Sequence, residues 1–235
     1  MVYKAAEIMD LVTISNNFPE LKEDEIHREN VISTIETIFH NDYEIILIEG
    51  NEGIGRTTLV AQFARKYPNN ALSLFIQPTS LYLYDPDFLI FDLCNQVSWA
   101  AQQKVIHNLE EANIINLRNI IFKLTRIAKA NREKYYFIID GLDEIPDDNN
   151  RCRETILDLL PFGVSNFCFL LTGNFNSTLG LHFEKIRKNK LTKQLPLSGF
   201  TLDETITYLK DMGLIHVQPR RSTRLVGVFQ VLWQA

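Results

Sequence analysis

Three closely spaced glycines between a strand-like apolar run and an amphipathic run are the residues best placed to do chemistry. The stretch reads Gly50-Asn51-Glu52-Gly53-Ile54-Gly55-Arg56-Thr57-Thr58. Gly50, Gly53 and Gly55 carry no Cβ, so the backbone can take positive φ and turn its N–H groups inward around an anion. A helix opening near Gly55 adds unpaired N–H groups and the positive end of its dipole. The spacing Gly50-x-x-x-x-Gly55-Arg56-Thr57 is that of a P-loop with arginine in the lysine slot. In such a loop the cation at 56 meets β- and γ-phosphates and the hydroxyl of Thr57 reaches Mg²⁺.

A polyphosphate site also needs a carboxylate for the metal and an acidic group to orient water, both at the C-terminal end of a neighbouring buried strand. Tyr135-Tyr-Phe-Ile-Ile-Asp140-Gly-Leu-Asp143-Glu144 supplies them. Asp140 is the expected metal ligand, and Asp143 or Glu144 the water-polarising base, with Glu144 slightly favoured.

These residues have to be positioned by an α/β scaffold. Strand-like runs at Glu44–Gly50, Ala71–Gln77, Tyr135–Asp140, Phe167–Thr172 and Leu195–Ser198 alternate with helical patterns. That alternation predicts a parallel sheet covered by helices on both faces. Pro196 cannot donate to a ladder, which puts the last strand at an edge. Leu59, Val60, Phe63 and Ala64 mark the buried face of the helix after the glycine loop. Asp85-Pro86 starts a helix in the long insertion between the second and third strands, and Ile114, Leu117, Ile121, Leu124 and Ala128 line the buried side of the next. Thr201-x-x-Glu204 is a capping box, Ile206, Leu209 and Met212 follow at helical spacing, and Gly213 stands where a helix would end.

The chain has 235 residues, 46% of them apolar, enough for one sizeable core. Its formal charge of −5 gives no overall attraction to nucleic acid, and Arg220, Arg221 and Arg224 read as a solvated face. Cys94, Cys152 and Cys168 are far apart and set in apolar surroundings, as reduced thiols of a cytoplasmic protein would be. No apolar stretch approaches the ~18 residues of a membrane span, and the N-terminus lacks the apolar run of a signal peptide.

Together, Gly50 to Leu59 and Asp140-Gly-Leu-Asp-Glu144 resemble the STAND class of P-loop NTPases, most closely its NACHT type. Ile26-His27-Arg28-Glu29 is similar to the segment whose backbone lies against adenine in that class, and Leu195-Pro-Leu-Ser-Gly-Phe200 to the end of its core. The resemblance implies a three-layer sandwich on a five-stranded parallel sheet ordered 5-1-4-3-2. It also implies ATP or ADP with Mg²⁺ as ligand and a nucleotide-operated switch, closed with ADP and self-assembling with ATP.

Asn174 falls where the class carries a γ-phosphate-sensing arginine, and Arg56 where it carries lysine. Both changes predict slow or absent hydrolysis. On this reading residues 1–24 are a leader, 25–200 the NTPase core, and 201–235 a helix with an incomplete lid. The chain is then one module of a larger signalling protein, or a truncated product. The alternative reading is a degenerate P-loop scaffold that mediates protein contacts without nucleotide turnover.

Overall fold

The computed structural model describes residues 11–20, 25–77, 85–146, 149–175 and 183–214. The chain divides into two compact units, one ending at Gly199 and the other beginning at Phe200.

The first unit is built on five parallel strands: β1 (Ile45–Glu49), β2 (Ala71–Phe75), β3 (Tyr135–Asp140), β4 (Phe167–Thr172) and β5 (Thr192–Pro196). Their order across the sheet is β2-β3-β4-β1-β5, which is the expected 5-1-4-3-2 read from the other edge. Inner strands such as Phe-Cys-Phe-Leu-Leu-Thr are buried along their whole length, as a sheet covered on both faces requires.

The helices are α1 (Leu11–Ile14), α2 (Glu29–His40), α3 (Arg56–Lys66), α4 (Pro86–Gln102), α5 (Ile114–Asn131), α6 (Asn150–Leu159) and α7 (Glu184–Arg187). Strand residues alternate between two cores. Leu47, Leu72, Phe137, Phe169 and Leu171 pack with α4, α5 and α6, whereas Ile46, Ile48, Ile138, Cys168 and Leu170 pack with α2 and α3. The result is three layers. The expected start of α4 holds: Asp85 caps it by accepting from Asp87 N, with Pro86 as its first residue. Asn113 caps α5, accepting from Ile115 N and Asn116 N. Cys94, Cys152 and Cys168 are buried free thiols, and burial pushes them up to about 12, 11 and 11 respectively.

Two sequence expectations change. The last strand runs over Thr192–Pro196 rather than Leu195–Ser198, because its first residues, Thr192-Lys-Gln, are polar. An edge strand with exposed positions needs no apolar signature, so its start is hidden in the sequence. Pro196 does lie on the edge, as its missing N–H demands. The second change concerns neighbours: the carboxylate is expected on a strand next to the loop strand, but β3, which carries Asp140, is separated from β1 by β4, as the expected order 5-1-4-3-2 itself entails.

The outer edge of β2 is closed by side chains. Gln96 of α4 accepts from Ser73 N (2.6 Å) and donates to Ser73 O (2.8 Å), copying the pattern of a missing strand. Asp92, one turn earlier, holds Gln96 (Asp92 Oδ1 to Nε2, 3.0 Å) and accepts from Asn16 N (3.4 Å). Burial pushes the Asp92 carboxyl up to about 6, with its two hydrogen bonds pulling the other way. An acid whose pKa is raised on folding costs stability once it ionises, so the cost grows as pH rises from about 4 to about 6 and stays above that. Asp92→Asn keeps the acceptor and removes the charge. It should stabilise the fold by about 3 kcal/mol at pH 7.5 and by almost nothing at pH 4, read from urea unfolding at the two pH values.

In the second unit one helix, α8 (Leu202–Asp211), is closed at both ends. Thr201 and Glu204 form the full capping box. Gly213, at φ +67°, ends the helix with Gly213 N donating to Lys210 O and Leu214 N to Leu209 O. Arg220, Arg221 and Arg224 lie outside the described residues. Among the described residues no helix is long and apolar enough to cross a membrane.

Candidate functional site

The glycine loop leaves the C-terminal end of β1 and enters α3. Gly53 and Gly55 take φ +76° and +89°, left-handed values that glycine alone adopts without strain. Gly50 is needed for closeness instead: a Cβ there would lie 2.8 Å from Ile54 Cγ2. The Ile54 N–H donates to Asn51 O (3.2 Å). The N-terminus of α3 is capped by Gly55 without any side-chain hydrogen bond. Its first-turn N–H groups are therefore available to an anion. Asn51, Glu52 and Gly53 are exposed at the loop's rim.

The long crossover from β1 to β2 explains how this loop meets Asp140 although β4 intervenes. The connection from β1 through α3 must reach β2 at the far edge, so α3 passes over β4 and β3 on the way. Thr57, in its first turn, then donates from Oγ1 to Asp140 Oδ2 at 2.7 Å. The other carboxylate oxygen, Oδ1, accepts from Thr172 Oγ1 at 2.6 Å, and Thr172 Oγ1 in turn accepts from Gly141 N at 3.1 Å.

Asp140 is nearly inaccessible, and burial raises its pKa. Hydrogen bonds from Thr172 and Thr57 and the charge of Arg56 oppose that rise, while Asp143 adds to it. A cleft of about 290 Å³ opens here, lined by Arg56, Thr57, Gln77, Asp140, Glu144 and Thr172 among others. Glu144 faces this cleft and is also raised, first by burial and then by the repulsion of Asp143.

Arg56 does not point free into the cleft. Its Nη1 donates to Asp143 Oδ2 at 2.8 Å, with the two side chains only 11% and 20% exposed. Asp143 Oδ1 is buried and has no partner. The two acidic candidates for base are thus in different situations: Asp143 is tied to a cation and Glu144 lines the open space.

The upstream segment is brought to the loop by Gln62 of α3, which donates to Ile26 O (2.8 Å) and accepts from Arg28 N (3.1 Å). Arg28 is buried and donates to Ser198 O (2.8 Å) and to Ile54 O (3.5 Å), bridging the glycine loop and the chain after β5. His27 and Thr57 are exposed, and Thr58 is half-buried. Asn174 is exposed two residues past β4 and does not line the cleft, where Thr172 stands instead. Thr172 and Gly141 join the site without any motif that marks them in the sequence. The available signal for Thr172 was a lone polar residue at the carboxyl end of an apolar strand.

Among the described residues no group of three or more His, Cys, Asp or Glu could hold a metal by itself. One carboxylate and one hydroxyl suit Mg²⁺, which commonly keeps water and phosphate as its remaining ligands. They do not suit zinc, which takes three or four protein donors.

A parallel sheet with order β2-β3-β4-β1-β5, a glycine loop after β1 and an acid ending β3 is the α/β fold of the P-loop NTPases. The Walker-type ATPase PABY2304 of Pyrococcus abyssi shares this fold, with TM-score 0.55 at 17% identity over 84% of this chain and 60% of that one. The present chain thus spans about 60% of that ATPase's length. Looser similarity is found to Cdc6p from Pyrobaculum aerophilum (TM-score 0.42, 14% identity, 83% of this chain and 51% of that one). The Drosophila ORC structure bound to GC-rich DNA and Cdc6 is similarly distant (TM-score 0.41, 13% identity, 80% and 66%). Comparison of the sequence with protein-family models and with curated proteins finds no match.

Proposed function

We propose that this chain is the ATP- or ADP-binding module of a signalling NTPase of the NACHT-like STAND type, working as a switch with slow turnover in the cytoplasm. The observation that carries the reading is the Thr57 to Asp140 hydrogen bond of 2.7 Å. It joins the end of the glycine loop to the end of β3 beside a cleft, the arrangement in which a hydroxyl and a carboxylate share a Mg²⁺ ion. Bound there, Mg²⁺ would neutralise phosphate charge. Gly50 to Thr58 would hold the phosphates through backbone N–H groups, Ile26 to Arg28 would lie along the base, and Glu144 would orient water. Self-association through this domain, coupled to other domains of a larger chain, would carry the signal.

The test is thermal unfolding with Mg·ADP, Mg·ATP, Mg·GTP and each nucleotide in EDTA. At about 100 times the dissociation constant, adenine nucleotides should add roughly 2.7 kcal/mol, or about 5–11 °C, with the gain reduced in EDTA. The scaffold reading draws on Arg56, whose charge is already engaged by Asp143. It would be the better account if millimolar nucleotide moved no transition.

A further inference from the structure

The geometry points to the Arg56–Asp143 ion pair as the element that sets this site's preference for a nucleoside diphosphate over a triphosphate. The inference rests on the nucleotide-binding reading above and concerns the same site. The glycine-loop N–H groups and the α3 N-terminus carry most of the hold on the first two phosphates. The cation at position 56 meets the β-phosphate and, in a triphosphate, the γ-phosphate as well, so a triphosphate depends on it more, and here that cation is committed elsewhere, Nη1 to Asp143 Oδ2 at 2.8 Å.

Taking Arg56 away would strip Asp143 of its charge partner in a setting where the other carboxylate oxygen, Oδ1, is already buried and unpaired. The third phosphate would also enter beside Asp140, Asp143 and Glu144. Burial is the first cause of the raised Glu144 carboxyl, and among the charges Asp143 raises it most while Arg56 opposes the rise. Because the contact joins one N–H to one oxygen rather than two to two, it can be released. A lysine in the same slot would be a compact point charge, whereas the arginine fork reaches the turn after β3 and can still bind phosphate when freed.

The experiment measures dissociation constants for Mg·ADP and Mg·ATP by calorimetry in the intact chain, Asp143→Asn, Arg56→Gln and the double variant. The intact chain should bind Mg·ADP more tightly. Asp143→Asn should shift the ATP/ADP affinity ratio toward ATP by about five- to tenfold, the range of a half-buried charge pair. In the Arg56→Gln background the same substitution should leave the ratio almost unchanged, since the pair is already gone. Asp143→Ser serves if the asparagine variant does not fold.

An unchanged ratio in Asp143→Asn with ADP still bound would overturn the assignment while leaving nucleotide binding intact. So would an equal shift in both backgrounds, which would mean that Asp143 acts by repulsion alone. Failure of the intact chain to bind either nucleotide would overturn the nucleotide reading itself, and this one with it.

Discussion

Asp140→Asn should lower Mg²⁺-dependent nucleotide affinity by roughly 10- to 100-fold while leaving the unliganded fold as stable as before, or more so. The two effects have opposite signs for one reason. Asp140 is a buried carboxylate whose pKa is raised, chiefly by burial, so its ionised form costs folding free energy at neutral pH. Removing the charge relieves that cost, and one acceptor oxygen remains for Thr57 or Thr172. A magnesium ion needs the anionic oxygen, however, and an amide does not replace it. Nucleotide titrations with and without Mg²⁺, set beside urea unfolding of the unliganded protein, separate the two. A variant that lost stability but kept its Mg²⁺ dependence would show that Asp140 is a structural acid held by two threonines.

Gly141→Ala should be the most damaging single-methyl change in the site. Gly141 sits at φ +78°, and a Cβ built on it would lie 2.4 Å from the backbone oxygen of Ile76. That oxygen cannot retreat freely, because Ile76 N donates to Asp140 O at 3.0 Å and so ties the end of β2 to β3. The left-handed backbone costs a non-glycine residue about 1–2 kcal/mol, and relieving the overlap adds about 1–3 more. A loss of about 3 kcal/mol corresponds to a fall of roughly 6–12 °C in melting temperature for a domain of this size. Gly53→Ala is the control: it has a similar φ of +76° but nothing within 4 Å of the added carbon. It should cost only the backbone share, and a melt in which the two variants fell equally would contradict the crowding at Gly141.

Much of this site was legible because its chemistry is local. Gly50 to Thr57 lie within one turn and the start of one helix, and the need for positive φ and for open N–H groups is written in neighbouring residue types. The inner strands were legible for a related reason: burial on both faces demands unbroken apolar runs, as in Phe167–Thr172. β5 was placed three residues late because an edge strand with exposed positions can begin with Thr-Lys-Gln and leave no hydrophobic trace.

Residue types and spacing alone determined that an anion-cradling loop and an acid-tipped strand exist in this chain. Tertiary structure decided what each group touches. The crossover of α3 above β4 brought Thr57 to Asp140 across a non-adjacent strand, and the seating of β4 beside β3 made Thr172 a second donor to the same carboxylate. The turn after β3 sent Asp143 to Arg56 and left Glu144 at the cleft. Such pairings join residues 87, 83 and 32 positions apart. No periodicity or local propensity encodes them, because they follow from how strands are ordered once both faces of the sheet are buried.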